Sequence, residues 1–280
     1  MMVREELQRA SHLLKNAGID TAALDARLLL QYLLGVSREA LALQPDRLLT
    51  SAQAAQFEAL MARRIAREPI SQILGKREFW GLEFAVTQDT LTPRPDTETL
   101  ITALLAHQPN RSTPLNILDL GTGTGCLLLS ALSEYPLSSG LGVDLSEAAL
   151  AVARRNAEAL GLKNRAIFKK SDWNSQINGV WDVVLGNPPY IPTEEIPQLL
   201  PEVADYEPVL ALDGGDDGLH CYRTITRFLP RILAGEGVAL LEVGAGQAGD
   251  VVEMAITQGL KIAQVAKDLA GIERCVVIKK

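Results

Sequence analysis

Apolar positions follow two different rhythms along the chain. Over residues 1–75 they recur every three or four positions. Val3, Leu7, Ala10, Leu14 and Ala17 share one helical face, and Gly18 stands where a left-handed cap belongs. Asp20 or Thr21 can cap a second helix running to Gly35, and Ser37 a short third one ending before Pro45. Thr50 or Ser51 can cap a fourth that carries Gln53, Phe57, Leu60, Met61 and Ile65 and must stop near Pro69. These residues predict a small helical bundle. It holds no cluster of catalytic residue types, so it reads as a packing or recognition module.

The rhythm changes after residue 75. Phe79, Trp80, Phe84 and Val86 flank Gly81, the pattern of a hairpin joining two domains. Two prolines in Thr92-Pro-Arg-Pro-Asp-Thr-Glu98 forbid a helix there, and Asp96 or Thr97 can cap one that starts just afterwards. Short apolar runs then appear at 116–118, 141–143, 166–168, 181–185, 238–241, 262–266 and 275–278. Helical segments such as 146–160 and 224–233 separate most of them, which predicts a parallel sheet covered by helices on both faces. The last two runs are joined only by 267–274, too short for a crossover helix, so the last strand is expected to run antiparallel. The fold class is therefore α/β. A seven-stranded, mostly parallel sheet with one antiparallel strand is unlike a dinucleotide dehydrogenase and resembles the Rossmann-like methyltransferase fold.

Composition narrows the function classes. At 280 residues the chain has room for one large and one small domain. It holds no apolar stretch of the roughly 18 residues a membrane helix needs, so no membrane association is expected. Its charged start, MMVREELQRA, does not read as a signal peptide. Cys126, Cys221 and Cys275 lie far apart, which suits a reducing, cytoplasmic location and no disulfides. With His12, His107 and His220 equally scattered, no metal site is expected. A net charge of -7 counts against stable nucleic-acid binding. The acidity is concentrated: Glu194 to Asp217 contains eight acidic residues and no Lys or Arg.

Four motifs carry the candidate chemistry. In Asn116-Ile-Leu-Asp-Leu-Gly-Thr-Gly-Thr-Gly125 a strand enters a glycine-rich turn and then a helical pattern. A dinucleotide fingerprint would place its third glycine at position 126, which is Cys126. S-adenosylmethionine carries no phosphate, and Asp119 at the strand end is expected to sit near its ammonium group. Leu141-Gly-Val-Asp144 ends the next strand in a carboxylate that can accept from both ribose hydroxyls. Ser171-Asp-Trp173 offers Asp172 to an adenine amino group and Trp173 to cover the base. The most specific motif is Asp182-Val-Val-Leu-Gly-Asn-Pro-Pro-Tyr190. Its prolines stiffen a loop in which the Asn187 side-chain oxygen and the Pro188 carbonyl form an acceptor pair for a substrate NH2 group, beside a Tyr190 wall.

An NPPY loop combined with D-x-G-x-G-x-G resembles the S-adenosylmethionine-dependent amino methyltransferases. One branch acts on adenine or cytosine in DNA or RNA, and an adenine-N6-type enzyme is the alternative reading. The rest of the sequence is similar to the other branch, the protein-(glutamine-N5) methyltransferases of class 1 peptide chain release factors. The likeness covers nearly the whole chain, including Glu68 to Gly75, Phe79-Trp80-Gly81, Thr92 to Glu98 and Leu210 to Leu219. It implies a helical substrate-recognition domain over 1–75, a hairpin linker over 76–92 and a methyltransferase domain over 93–280. It implies cofactor contacts from Gly121, Thr122, Gly123, Thr124, Gly125, Asp144, Trp173 and Asn187. It implies substrate contacts from Asn187, Pro188, Pro189 and Tyr190, with catalysis at Asn187 and Pro188. Arg94 and Glu98 share the family's pattern and read equally well as substrate contacts or as a structured turn. Gly186 departs from the serine common there and is expected to loosen the loop slightly. A monomer is expected. The acidic run follows the substrate loop, so Glu202, Asp205 and Glu207 are expected to help receive a basic partner.

Overall fold

The computed structural model describes residues 2–173 and 177–280. They form two compact units, Met1–Gly75 with Pro201–Tyr206, and Lys76–Leu200 with Glu207–Lys280.

The first unit is helical. It contains α1 (Val3–Asn16), α2 (Ala22–Leu34), α3 (Arg38–Ala42), α4 (Ser51–Ile65) and α5 (Ile70–Leu74). The expected caps divide into two sets. Gly35 ends α2 in the left-handed region, Ser37 Oγ accepts from Ala40 N, and Thr50 and Gln53 exchange bonds as a capping box. Thr21 precedes α2 without a side-chain cap bond. The helix α5 was not expected, because five residues between Pro69 and Gly75 are too few to show a period. The apolar faces close on Leu14, Leu29, Leu30, Phe57 and Met61.

A charged cluster lies inside this unit. Arg64 is buried and pairs with the equally buried Asp25 at 2.8 Å. It also reaches Glu202 at 3.0 Å, and Arg67 takes the other Glu202 oxygen at 2.6 Å. Glu202 belongs to a short helix, Pro201–Ala204, far along the chain. Glu202 is therefore consumed by arginines of its own unit and is not a free acidic surface group.

The second unit begins with a hairpin, β1 (Lys76–Phe79) and β2 (Leu82–Ala85). It is not a linker. Phe79 and Phe84 meet edge to face at 6.3 Å and belong to the unit's main core. After α6 (Glu98–His107), strands and helices alternate: β3 (Asn116–Leu120), α7 (Cys126–Glu134), β4 (Ser139–Asp144), α8 (Glu147–Ala159), β5 (Ala166–Lys170) and β6 (Trp181–Gly186). The helix labelled α9 here is Pro201–Ala204 of the first unit; α10 (His220–Ile232), β7 (Leu233–Glu242), α11 (Ala248–Thr257), β8 (Lys261–Lys267) and β9 (Glu273–Lys279) complete the second. The sheet order is β5-β4-β3-β6-β7-β9-β8, and β9 runs antiparallel to both neighbours, as the short connection requires.

Alternate residues serve opposite faces. Val183, Leu185 and Leu240 face one core with α6, α7 and α8, while Val184, Ala239 and Leu241 face another with α10 and α11. The strand order reverses between β3 and β6, the place where such sheets open a crevice at their C-terminal ends. One register row decides what meets there. Val143, Leu120, Gly186 and Leu241 are successive partners across β4, β3, β6 and β7. The residues immediately after them are Asp144, Gly121, Asn187 and Glu242.

Candidate active site

A cavity of about 440 Å³ opens at this row. Gly121, Thr122, Gly123 and Thr124 form one wall, Asp144, Asp172 and Trp173 a second, and Asn187, Pro189, Arg94 and Thr97 a third. Gly121 takes φ +70°, and a side chain there would press on the Trp173 ring at 3.3 Å. Thus Trp173 lies over the glycine loop. It holds a left-handed backbone itself, φ +68°, and its indole N–H is buried without a partner among the described residues.

Asp144 is tied at both oxygens. Oδ2 accepts from Gly123 N and Oδ1 from Ser146 N, each at 2.9 Å. Burial raises its pKa, against the pull of those N–H groups. Each oxygen has a second lone pair, and Asp144 lines the cavity. The helix start after it is capped by Ser146, so Asp144 is not needed as a cap.

Asp119 departs from expectation. Its carboxylate is 1% exposed, accepts from the Thr122 hydroxyl at 2.6 Å and does not reach the cavity wall. Burial pushes it up to about 7. It braces the loop through Oδ2, while Oδ1 has no hydrogen-bond partner among the described residues. Gly125 also stands behind the wall, packed against Leu129 and Ala153.

Asn187 is fixed by an unexpected partner. Its Nδ2 donates to Thr97 Oγ1 at 3.3 Å, and its Oδ1 has no hydrogen-bond donor among the described residues. Pro188 is buried beneath it and Pro189 lines the cavity. Tyr190 turns inward: its hydroxyl donates to Glu242 Oε1 at 3.4 Å, and burial, followed by the Glu242 charge, pushes it up to about 12. Its ring is a wall from within, not a cavity-facing one. Gly186 is a paired strand residue whose added side chain would meet Leu241 at 3.3 Å; it is held by the sheet and does not loosen the loop.

The loop around Leu210–Leu219 braces the Asn-Pro-Pro-Tyr turn. Ile191 N donates to Leu212 O, and Gly214 N to Ile191 O. Any side chain at Gly218 would overlap the Tyr190 carbonyl, whose oxygen accepts from Gln247 Nε2 at 2.9 Å. Arg94 lines the cavity and pairs with buried Glu207 at 2.6 Å. Glu98 is not among the residues lining the cavity: its carboxylate accepts from Trp80 N at 2.9 Å and fixes the hairpin turn. Neither Asp96 nor Thr97 caps α6 through its side chain, because the turn Pro95–Thr97 runs directly into that helix.

Thr97 and Glu242 are the residues that motif reading missed. Glu242 is 1% exposed, and burial, opposed by Thr97 and Arg274, pushes its carboxyl up to about 7. A carboxylate closing the apolar run 238–241 was the available signal.

Comparison with known proteins follows the same division. Residues 5–75 match the family model described as PrmC N-terminal domain, and residues 95–201 the methyltransferase small domain. The release factor glutamine methyltransferase of Rhodospirillum rubrum is 47% identical over 98% of this chain and 84% of its own. The protein of that name from Cereibacter sphaeroides is 47% identical over 99% and 98%. The chain belongs to the release factor glutamine methyltransferases. A solved methyltransferase from Pyrococcus furiosus shares the fold, with a TM-score of 0.52, 16% identity and coverage of 80% and 97%. As a release factor glutamine methyltransferase the chain uses S-adenosylmethionine as methyl donor, and the wall residues suit that group. Asp144 offers acceptors to a diol, the loop offers backbone amides without phosphate-matching cations, and Arg94 is already paired with Glu207.

Proposed function

We propose that this chain methylates the side-chain amide nitrogen, N5, of the glutamine in the Gly-Gly-Gln loop of class 1 peptide chain release factors, and so modulates translation termination. The named relatives support the substrate. The observation that carries the chemistry is the Asn187 amide, tied by its nitrogen to Thr97 and left with an acceptor oxygen beside the glycine loop. S-adenosylmethionine supplies, when bound, an electrophilic methyl group on a sulfonium centre. The loop Gly121–Gly125 and Asp144 would hold its methionine and ribose portions, with Asp172 and Trp173 at the adenine.

A glutamine amide nitrogen is a weak nucleophile, because its lone pair is delocalised into the carbonyl. Positioning is therefore the main resource. Asn187 Oδ1 and the Pro188 carbonyl accept the two N–H groups, aim the nitrogen and stabilise the positive charge that develops on it. Asn187 is neutral and takes no proton. With that donor bound, the nitrogen so aimed would displace the sulfonium sulfur from the methyl carbon, and the excess proton would leave to solvent, since Asn187 and Pro188 offer only neutral acceptors. An amino group on a nucleic acid would fit the same acceptors, but Glu194 and Glu195, exposed just beyond the loop, oppose a phosphate backbone.

The test uses labelled S-adenosylmethionine and purified release factors, native and with the loop glutamine changed. Label is expected on the native factor alone. Equal labelling of both excludes the glutamine.

A further inference from the structure

Glu242 is a buried carboxylate with no task in the reaction derived so far. It is 1% exposed, yet among the described residues no Lys or Arg forms an ion pair with it. Arg274, the cation nearest in effect, is engaged by Asp268 at 3.2 Å, Asp96 at 3.5 Å and the Val243 carbonyl at 3.4 Å. Tyr190 donates to Oε1 at 3.4 Å, while Oε2 has no well-formed hydrogen bond. A buried, unpaired carboxylate is costly, and its retention asks for a reason.

The register row supplies the geometry. Glu242 and Asn187 leave adjacent strands at the same level, immediately after the paired residues Leu241 and Gly186. Thr97, 2% exposed at the start of α6, stands between them. Its Oγ1 accepts from Asn187 Nδ2, and its hydroxyl lies close enough to the Glu242 carboxyl to pull that group's pKa down against burial. A threonine hydroxyl that accepts one bond has one proton left to donate. A carboxyl group offers an acceptor oxygen in either protonation state. The Asn187 bond sets the direction of the chain: Asn187 N–H to Thr97 oxygen, and Thr97 O–H to Glu242.

We propose that Glu242 is a positioning residue that acts through the Thr97 hydroxyl to hold the Asn187 amide in one orientation, nitrogen inward and Oδ1 toward the substrate. An Asn side chain turned over would present N–H groups to the substrate's own N–H groups, and both acceptor contacts would be lost. Sequence alone cannot choose between the two orientations; the Thr97–Glu242 pair does. The inference rests on the proposed role of Asn187 as acceptor.

Two near-isosteric variants test it. Thr97→Val removes the hydroxyl, and Glu242→Gln replaces the carboxyl group with an amide whose NH2 can donate to Thr97 and reverse the chain. Each is expected to lower kcat by roughly 10- to 100-fold, with S-adenosylhomocysteine affinity within about twofold of wild type. Thr97→Ser keeps the hydroxyl and is expected to retain most turnover. The double variant is expected to be no worse than either single one, because the two residues act as a unit. Amide hydrogen exchange gives a readout independent of turnover. The Asn187 side-chain NH2 signals, assigned as those missing in Asn187→Ala, should exchange slowly in wild type and Thr97→Ser and rapidly in Thr97→Val. Turnover of Thr97→Val and Glu242→Gln within twofold of wild type, or unchanged exchange, overturns the relay. If wild type fails to methylate release factors at all, the functional reading falls instead, and the exchange experiment still decides the relay.

Discussion

Asn187 carries one requirement, an oxygen held still at the right place. Asn187→Ala is expected to cut kcat by about 100-fold while leaving S-adenosylhomocysteine affinity nearly unchanged; near-normal turnover would remove Asn187 from the mechanism. Glu242 adds a pH signature. Its carboxyl titrates near 7 in the fold against an ordinary 4.5. A raised carboxyl pKa gives stability that is full below the unfolded value and lost as pH rises through the folded one. The fold should therefore weaken between about 4.5 and about 7, by roughly 3 kcal/mol from this group. Thr97, Tyr190, Arg274 and Asp96 face the carboxylate, and Tyr222, Cys275 and Cys126 feel its charge. Asp119 adds a parallel loss. Urea midpoints measured across this window should fall less steeply in Glu242→Gln than in wild type, and equal slopes contradict the assignment. At this scale the sequence was legible where residues form a contiguous motif, as in Asn187 to Tyr190. It was silent on Thr97 and Glu242, because their meeting depends on strand register and not on spacing.

The elements explain that gap. Periodicity located the seven strands and the antiparallel turn of the last one, since each needs only local alternation and a connection length. It does not give register, and register is what lines up Val143, Leu120, Gly186 and Leu241. Gly186 shows the consequence: read alone it is a flexible residue, but paired on both sides it is part of a rigid row. The hairpin of β1 and β2 likewise read as a connector until Phe79 and Phe84 were seen inside the core. In the helical unit, Arg64 sat on a helix as one more basic residue, and only the tertiary fold brings Asp25 and Glu202 to it. Arg64→Ala leaves Asp25 buried without its partner, and this should cost about 3–5 kcal/mol. Denaturant unfolding checks it, and a loss below 1 kcal/mol would place the pair among ordinary surface bridges.

At the scale of the whole molecule the charge of -7 now has a finer map. The acidic run is not one surface. Glu202 is bound by Arg64 and Arg67, Glu207 is buried beneath Arg94, and Asp217 pairs with Arg223. Glu194, Glu195, Asp205 and Asp216 remain exposed. Reversing Glu194 and Glu195 is expected to slow association with a release factor and flatten its salt dependence, read by stopped-flow at several salt concentrations. Glu202→Lys should instead destabilise its own unit. An unchanged rate and salt slope for the first pair would return the run to solvated surface. No helix among the described residues is long and apolar enough to cross a membrane. The central claim, that an acceptor oxygen at Asn187 directs methylation of one amide nitrogen, is tested most directly by peptide mass spectrometry of a release factor after incubation with the enzyme and S-adenosylmethionine. One methyl group on the Gly-Gly-Gln glutamine with wild type, and none with Asn187→Ala, is the predicted result. A methyl group on any other residue, or an equal yield from the variant, contradicts it.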